Sequence, residues 1–182
     1  MNVALRRSMT VQDYLAWADS QIERQRTELI NGQIVAMPAE RVAHSRTKGA
    51  IYLALAQAVK TAGVPCEAMM DGPGVPIDDH TVYEPDALVY CGESPAPSSL
   101  IVPNPVVVVE VLSPSTAHHD TSAKLIGYFK LQSMHHYLVV DPEMRSVTHY
   151  TRGEMPVVLT EGSLRLDPPG LTVDVADLLG PP

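Results

Sequence analysis

The 182-residue sequence predicts an α/β protein, and three features carry the prediction. The first is the run from Pro105 to Leu112, in which four consecutive valines and a fifth after Glu110 read as a strand buried on both faces, because β-branched side chains suit the pleat. The second lies just C-terminal to that run: a helical pattern through Lys124, Leu125, Tyr128, Phe129 and Leu131, then an apolar strand from His136 to Asp141. Strand, helix and strand in that order form a βαβ unit whose two strands can lie parallel in one sheet. The third is Asn31-Gly32 between two apolar runs, a hairpin signal because a type I′ turn requires positive φ twice.

In chain order, Thr10 caps a short helix, with Asp13 in its first turn and Val11, Tyr14, Leu15 and Ala18 as its apolar stripe. The hairpin places Glu28 on its first arm, and Pro38 ends the second. Residues 39–62 read as a helix with Ile51, Leu55 and Val59 on one face, closed by Gly63. Arg41, His44 and Lys48 share a side of its first half, either as a solvated polar face or as a stripe that touches phosphates. Residues 64–70 form a strand and Asp71 to Gly74 a turn; Val75-Pro76-Ile77 is too proline-marked for a central strand. A further strand begins near Asp86, and the Pro- and Ser-rich loop over 92–103 has the length of a functional or mobile segment. Thr116 or Asp120 caps the helix of the βαβ unit. Residues 145–152, 157–160 and 163–166 read as meander strands, and 172–179 as a capped segment that docks on the domain.

Composition bounds the function. The length and 45% hydrophobic residues fit one domain over 1–182. Cys66 and Cys91 lie in no metal or redox spacing and read as reduced core thiols. The sequence has no membrane span and no signal-peptide core, which points to a cytoplasmic protein with no membrane partner. A net charge of −8 argues against coating nucleic acid by global attraction. Residues 1–50 hold seven basic against five acidic side chains, the remainder six against sixteen, so any nucleic-acid surface involves the N-terminal third, unless the asymmetry is only solvated surface.

The carboxylates carry the chemistry. Glu110 among valines must be neutralised, paired or bound to a cation, since desolvating a lone carboxylate is costly. Asp86 shares a face with Leu88, and Glu110 with Val108 and Leu112; if the two strands are neighbours, both carboxylates meet. Close carboxylates repel unless a cation lies between them, and hard oxygen ligands suit Mg²⁺. Lys124 has two readings that stay open: a surface pair with Asp120, or an ammonium aimed at Glu110 and a substrate phosphate.

At these residues the chain resembles the Uma-two family, described as putative restriction endonucleases and placed in the PD-(D/E)XK nuclease superfamily. The resemblance runs from about Thr10 to Leu179. It is carried by Glu28-Leu-Ile-Asn-Gly-Gln-Ile-Val35, His44, Glu84-Pro-Asp-Ala-Leu-Val89, Val109-Glu-Val-Leu-Ser-Pro-Ser-Thr116, Asp120 with Lys124 and Tyr128, and Tyr137 through Pro142. It implies a restriction-endonuclease-like core with a mixed central sheet flanked by helices, and metal-dependent hydrolysis of DNA phosphodiesters. Asp86 and Glu110 would hold Mg²⁺ or Mn²⁺, Glu28 would add a carboxylate, and Lys124 would be the catalytic lysine. The superfamily's usual lysine position, two after Glu110, is Leu112 here, and Lys124 matches a position migrated to the following helix; Leu138 replaces a frequent tryptophan. Arg41, His44 and Lys48 are the substrate-binding candidates, and His118-His119 and His135-His136 read as loop and strand-edge residues. DNA is the expected partner. A double-strand cut from one site per chain would require two chains, which suggests a homodimer. The rival function is a catalytically silent interaction module of the same fold, and a third reading pairs Glu110 with a lysine and no metal.

Overall fold

The computed structural model describes residues 8–22, 25–113 and 120–181. Helix α1 (Val11–Ser20) leads to strands β1 (Thr27–Ile30) and β2 (Gln33–Ala36), helix α2 (Val42–Ala62), and strands β3 (Cys66–Met70), β4 (Val75–Asp78), β5 (Thr81–Tyr83), β6 (Ala87–Cys91) and β7 (Pro105–Val111). Helix α3 (Asp120–Tyr128) comes next, then β8 (His136–Asp141), β9 (Ser146–Thr151), β10 (Val157–Leu159), β11 (Ser163–Leu166), β12 (Leu171–Asp174) and α4 (Val175–Leu179).

The central sheet has the order β10-β9-β8-β7-β6-β3. Its β7–β8 pair is parallel, joined across α3, and its other pairs are antiparallel, so the sheet is mixed as expected. Alternation along β7 divides the core. Val107, Val109 and Val111 pack with Leu138 and Val140 against α2, α4 and the β11–β12 hairpin. Val108 packs on the opposite face with Leu88, Tyr128, Tyr137 and Val139, beneath α3. Glu110 therefore emerges on the α3 side. A second sheet, β2-β1-β5-β4, covers the same end. The proline-marked β4 lies at its edge, as its missing N–H requires.

Local signals hold well. Thr10 and Asp13 form a reciprocal capping box on α1. Asn31 and Gly32 have φ of 50° and 76° and close the β1–β2 hairpin. Helix α2 starts three residues after the expected 39 and ends on a left-handed Gly63. β5 escapes the sequence reading because three residues show no period. The loop over 92–103 is tethered at its far end: Ile101 bridges Gly74, and Val102 is buried. Thr116 and His118-His119 lie outside the described residues, as does the side chain of Asp120, the other expected cap. No helix among the described residues is long and apolar enough to cross a membrane.

Two expectations are corrected. Cys66 and Cys91 are not free thiols: antiparallel β3 and β6 set them opposite each other, with Cα atoms 3.9 Å apart, and they form a disulfide. The support that reduced thiols lent to an intracellular location is thereby withdrawn. His136 is not an edge residue, because β8 is interior to the sheet. Its Nδ1 lies 2.9 Å from His149 Nε2, and its Nε2 lies 3.0 Å from the Pro168 carbonyl.

Burial, then the neighbouring His149, lowers the His136 pKa from 6.5 to about 4. A folded pKa below the unfolded one means that this contribution is present above pH 6.5 and is lost as pH falls towards 4. Urea midpoints between pH 7 and 4 should fall less steeply for His136→Gln than for the wild-type chain. Gly127 faces the Tyr83 ring so closely that a Cβ would sit 2.6 Å from Cε2, whereas one at Gly49 meets nothing within 4 Å. Gly127→Ala should therefore destabilise by roughly 1–3 kcal/mol through overpacking. Gly49→Ala should instead stabilise by roughly 0.5–1 kcal/mol through helix propensity; thermal melting of both variants tests the pair.

Candidate functional site

β6 and β7 pair with Ala87 opposite Val109, and one more step of that register sets Asp86 beside Glu110. The backbone then fixes Asp86: the Val111 N–H donates to its Oδ2 at 2.7 Å. Its Oδ1 faces the other way, 3.1 Å from His44 Nε2 and 3.8 Å from Lys48 Nζ, both on α2. Burial pushes the Asp86 carboxyl up, but the hydrogen bonds from His44 and Val111 and the charges of His44 and Lys48 outweigh it, and Asp86 is held below its ordinary range.

Glu110 is in a different position. Lys124 and Tyr128, one turn apart on α3, share a helix face and both donate to its Oε1, at 3.1 and 3.0 Å. The Lys124 ammonium also lies 3.0 Å from Glu28 Oε1, and that oxygen accepts the Glu84 N–H at 2.9 Å. Lys124 thus meets Glu110, while the side chain of Asp120, its other candidate partner, lies outside the described residues. Burial pushes Glu110 up to about 8, opposed by Lys124 and reinforced by the charges of Asp86 and Glu28. Burial and the Glu110 charge likewise hold the Tyr128 hydroxyl protonated, as a donor.

Glu28, His44, Asp86, Glu110 and Lys124 line one cavity of about 570 Å³, together with the exposed Arg41 at the N-cap of α2. Lys48 departs from the expected stripe. It is 1% exposed, and its ammonium lies 2.6 Å from Glu40 and 2.7 Å from Asp71, because the side of α2 that carries it faces the protein interior. A phosphate-touching stripe therefore reduces to Arg41 and His44. Sequence reasoning missed the network around Lys48. Arg26 pairs with Glu84 at 2.8 Å, with Asp71 at 3.1 Å and with Glu40. Glu84 stands in the Glu84-Pro-Asp motif, and Glu40 left a signal as an acid just ahead of a helix N-terminus and one turn before His44. Glu40, His44 and Asp86 each present a ligand atom, all within 4.8 Å of one another, so these residues could hold a metal ion.

The family model Uma2, "Putative restriction endonuclease", matches residues 11–176. The chain belongs to this family. Two Synechocystis proteins are similar to this chain: uncharacterized protein slr1290, 28% identical over 80% of this chain and 75% of its own length, and uncharacterized protein sll1609, 26% identical over 88% and 91%. The fold matches the crystal structure of "a putative nuclease belonging to DUF820" from Anabaena variabilis, with a TM-score of 0.73 and 18% identity over 94% of this chain and 97% of that one. That likeness bears out the restriction-endonuclease-like architecture expected of Uma2 members.

The Glu110 pKa gives a stability test. Raised above the ordinary 4.5, it makes the folded state the tighter proton binder, so its contribution is complete below pH 4.5 and lost as pH rises through 8. In EDTA, denaturation midpoints should shift progressively in favour of Glu110→Gln over wild type between pH 4.5 and 8.5.

Proposed function

We propose that this chain is a metal-dependent endonuclease that hydrolyses DNA phosphodiester bonds. The observation that carries the reading is the convergence of Glu28, Asp86, Glu110 and Lys124, from separate elements, on one cavity wall. Membership of a family described as restriction endonucleases, and a fold shared with a protein described as a nuclease, support it. Asp86, kept ionised, and Glu110, across the strand pair, offer the hard oxygens that suit Mg²⁺ or Mn²⁺. Such an ion would supply a water of lowered pKa and polarise the phosphate.

The side chains supply the rest. Lys124 is held between Glu28 and Glu110 at the cavity wall, where its ammonium stabilises negative charge that builds on the phosphoryl group. Glu28 positions that ammonium, and Tyr128 fixes Glu110. Arg41 and His44 lie on the cavity rim in the N-terminal third, whose charge balance suits the phosphodiester backbone. Two copies of the chain would bring two such sites to the two strands of a duplex.

Cleavage of supercoiled plasmid with Mg²⁺ or Mn²⁺, against an EDTA control, tests the reading. Asp86→Ala, Glu110→Ala and Lys124→Ala should each lower the rate by about 10²-fold or more. Nicked product from a single-chain species and linear product from a paired one would report the oligomer. Cleavage by Glu110→Ala at the wild-type rate would remove the basis of the proposal.

A further inference from the structure

The geometry points to a cation position on Glu40, His44 and Asp86, distinct from the Asp86–Glu110 pair, that takes a divalent transition ion such as Mn²⁺. The inference rests on the metal-dependent reading above and differs from it in the ligands. Three observations carry it.

The first is spacing with mixed chemistry: two carboxylates and an imidazole present ligand atoms within 4.8 Å of one another, on the wall of the large cavity. An imidazole donor suits Mn²⁺ and its later neighbours better than Mg²⁺, which takes oxygen. The second is the contact between His44 Nε2 and Asp86 Oδ1 at 3.1 Å. An ionised carboxylate only accepts, and so does a neutral ring nitrogen without its proton, so a proton or a cation must lie between them. The two oxygens of Asp86 are already divided: Oδ2 is bound to the backbone beside Glu110, and Oδ1 faces α2.

The third is charge. Glu40, Asp71, Glu84 and Asp86 are tied to one another through two cations, Arg26 and Lys48. Four carboxylates against these two cations leave a net charge of −2, which one divalent ion balances. Oε1 of Glu40 accepts from both Arg26 and Lys48, whereas its Oε2 meets Lys48 alone and keeps a lone pair. Its side chain, 24% exposed, opens the position to solvent.

Mn²⁺ titration followed by EPR, with pulsed EPR of the loaded protein, tests this without reference to cleavage. The expected result is ¹⁴N coupling from one imidazole in the wild-type protein, lost in His44→Ala, affinity of the ¹⁴N-coupled ion reduced about tenfold or more in Glu40→Gln, and the same ¹⁴N coupling kept in Glu110→Gln. Wild-type protein that binds no Mn²⁺, or binds it with no ¹⁴N coupling, overturns the inference, and that measurement requires no variant to fold. ¹⁴N coupling that persists in His44→Ala, or that is lost in Glu110→Gln, overturns it too. Plasmid cleavage with the same samples separates the two ideas. An imidazole-bound ion without cleavage sinks the nuclease reading alone, and Glu110-dependent cleavage without such an ion sinks this one alone.

Discussion

The site depends on how a carboxylate is tolerated on the innermost strands of the sheet. Glu110 is carried into the core by the valines on either side of it, and it remains there because α3 lies across its face and delivers Lys124 and Tyr128 to one oxygen. Both donors come from one helical face, so the packing of α3 against β7 and the neutralisation of Glu110 are a single event. The close approach of Gly127 to Tyr83, on the same helix, shows how little room that packing leaves. Glu28 joins from the second sheet through the same ammonium, tying the hairpin at the start of the chain to the central strands.

Asp86 lives in a contrasting environment one strand away. A backbone N–H and two α2 side chains hold it as an anion, whereas burial gives Glu110 a high proton affinity. Neighbouring carboxylates with opposite proton affinities can divide labour, one binding a cation throughout and the other exchanging protons as the surroundings change. The network of Arg26, Lys48, Glu40, Asp71 and Glu84 extends the Asp86 side and makes it strongly polar at the cavity wall.

Much of the site was legible because its members sit on elements with strong local signals. Glu110 falls on β7 and Asp86 one residue before β6, where faces can be read at a period of two, and Lys124 falls on the helix directly after β7. Lys48 was misplaced because helical spacing states which residues share a side and not which side turns inwards. Arg26 and Asp71 were invisible because each lies in a strand flank or turn, and their proximity to Glu84, itself quoted only as part of a motif, arises only when β1, β3 and β5 converge. The same limit explains Cys66 and Cys91: twenty-five residues of separation carry no hint of a pairing that the β3–β6 register creates.

The sequence by itself determined the elements and the family: the capping box at Thr10, the Asn31-Gly32 turn, the valine strand, the βαβ unit and the chain of motifs from Glu28 to Pro142. These are encoded in side-chain periods and turn chemistry within a few residues of each other. Tertiary structure alone decided the disulfide, the buried His136–His149 pair and the division of Asp86 between the α2 side and the Glu110 side. It also brought the Lys124 ammonium to Glu28 and Glu110. Those outcomes depend on strand order and on which helix face is buried, properties of the packed sheet that local sequence does not carry.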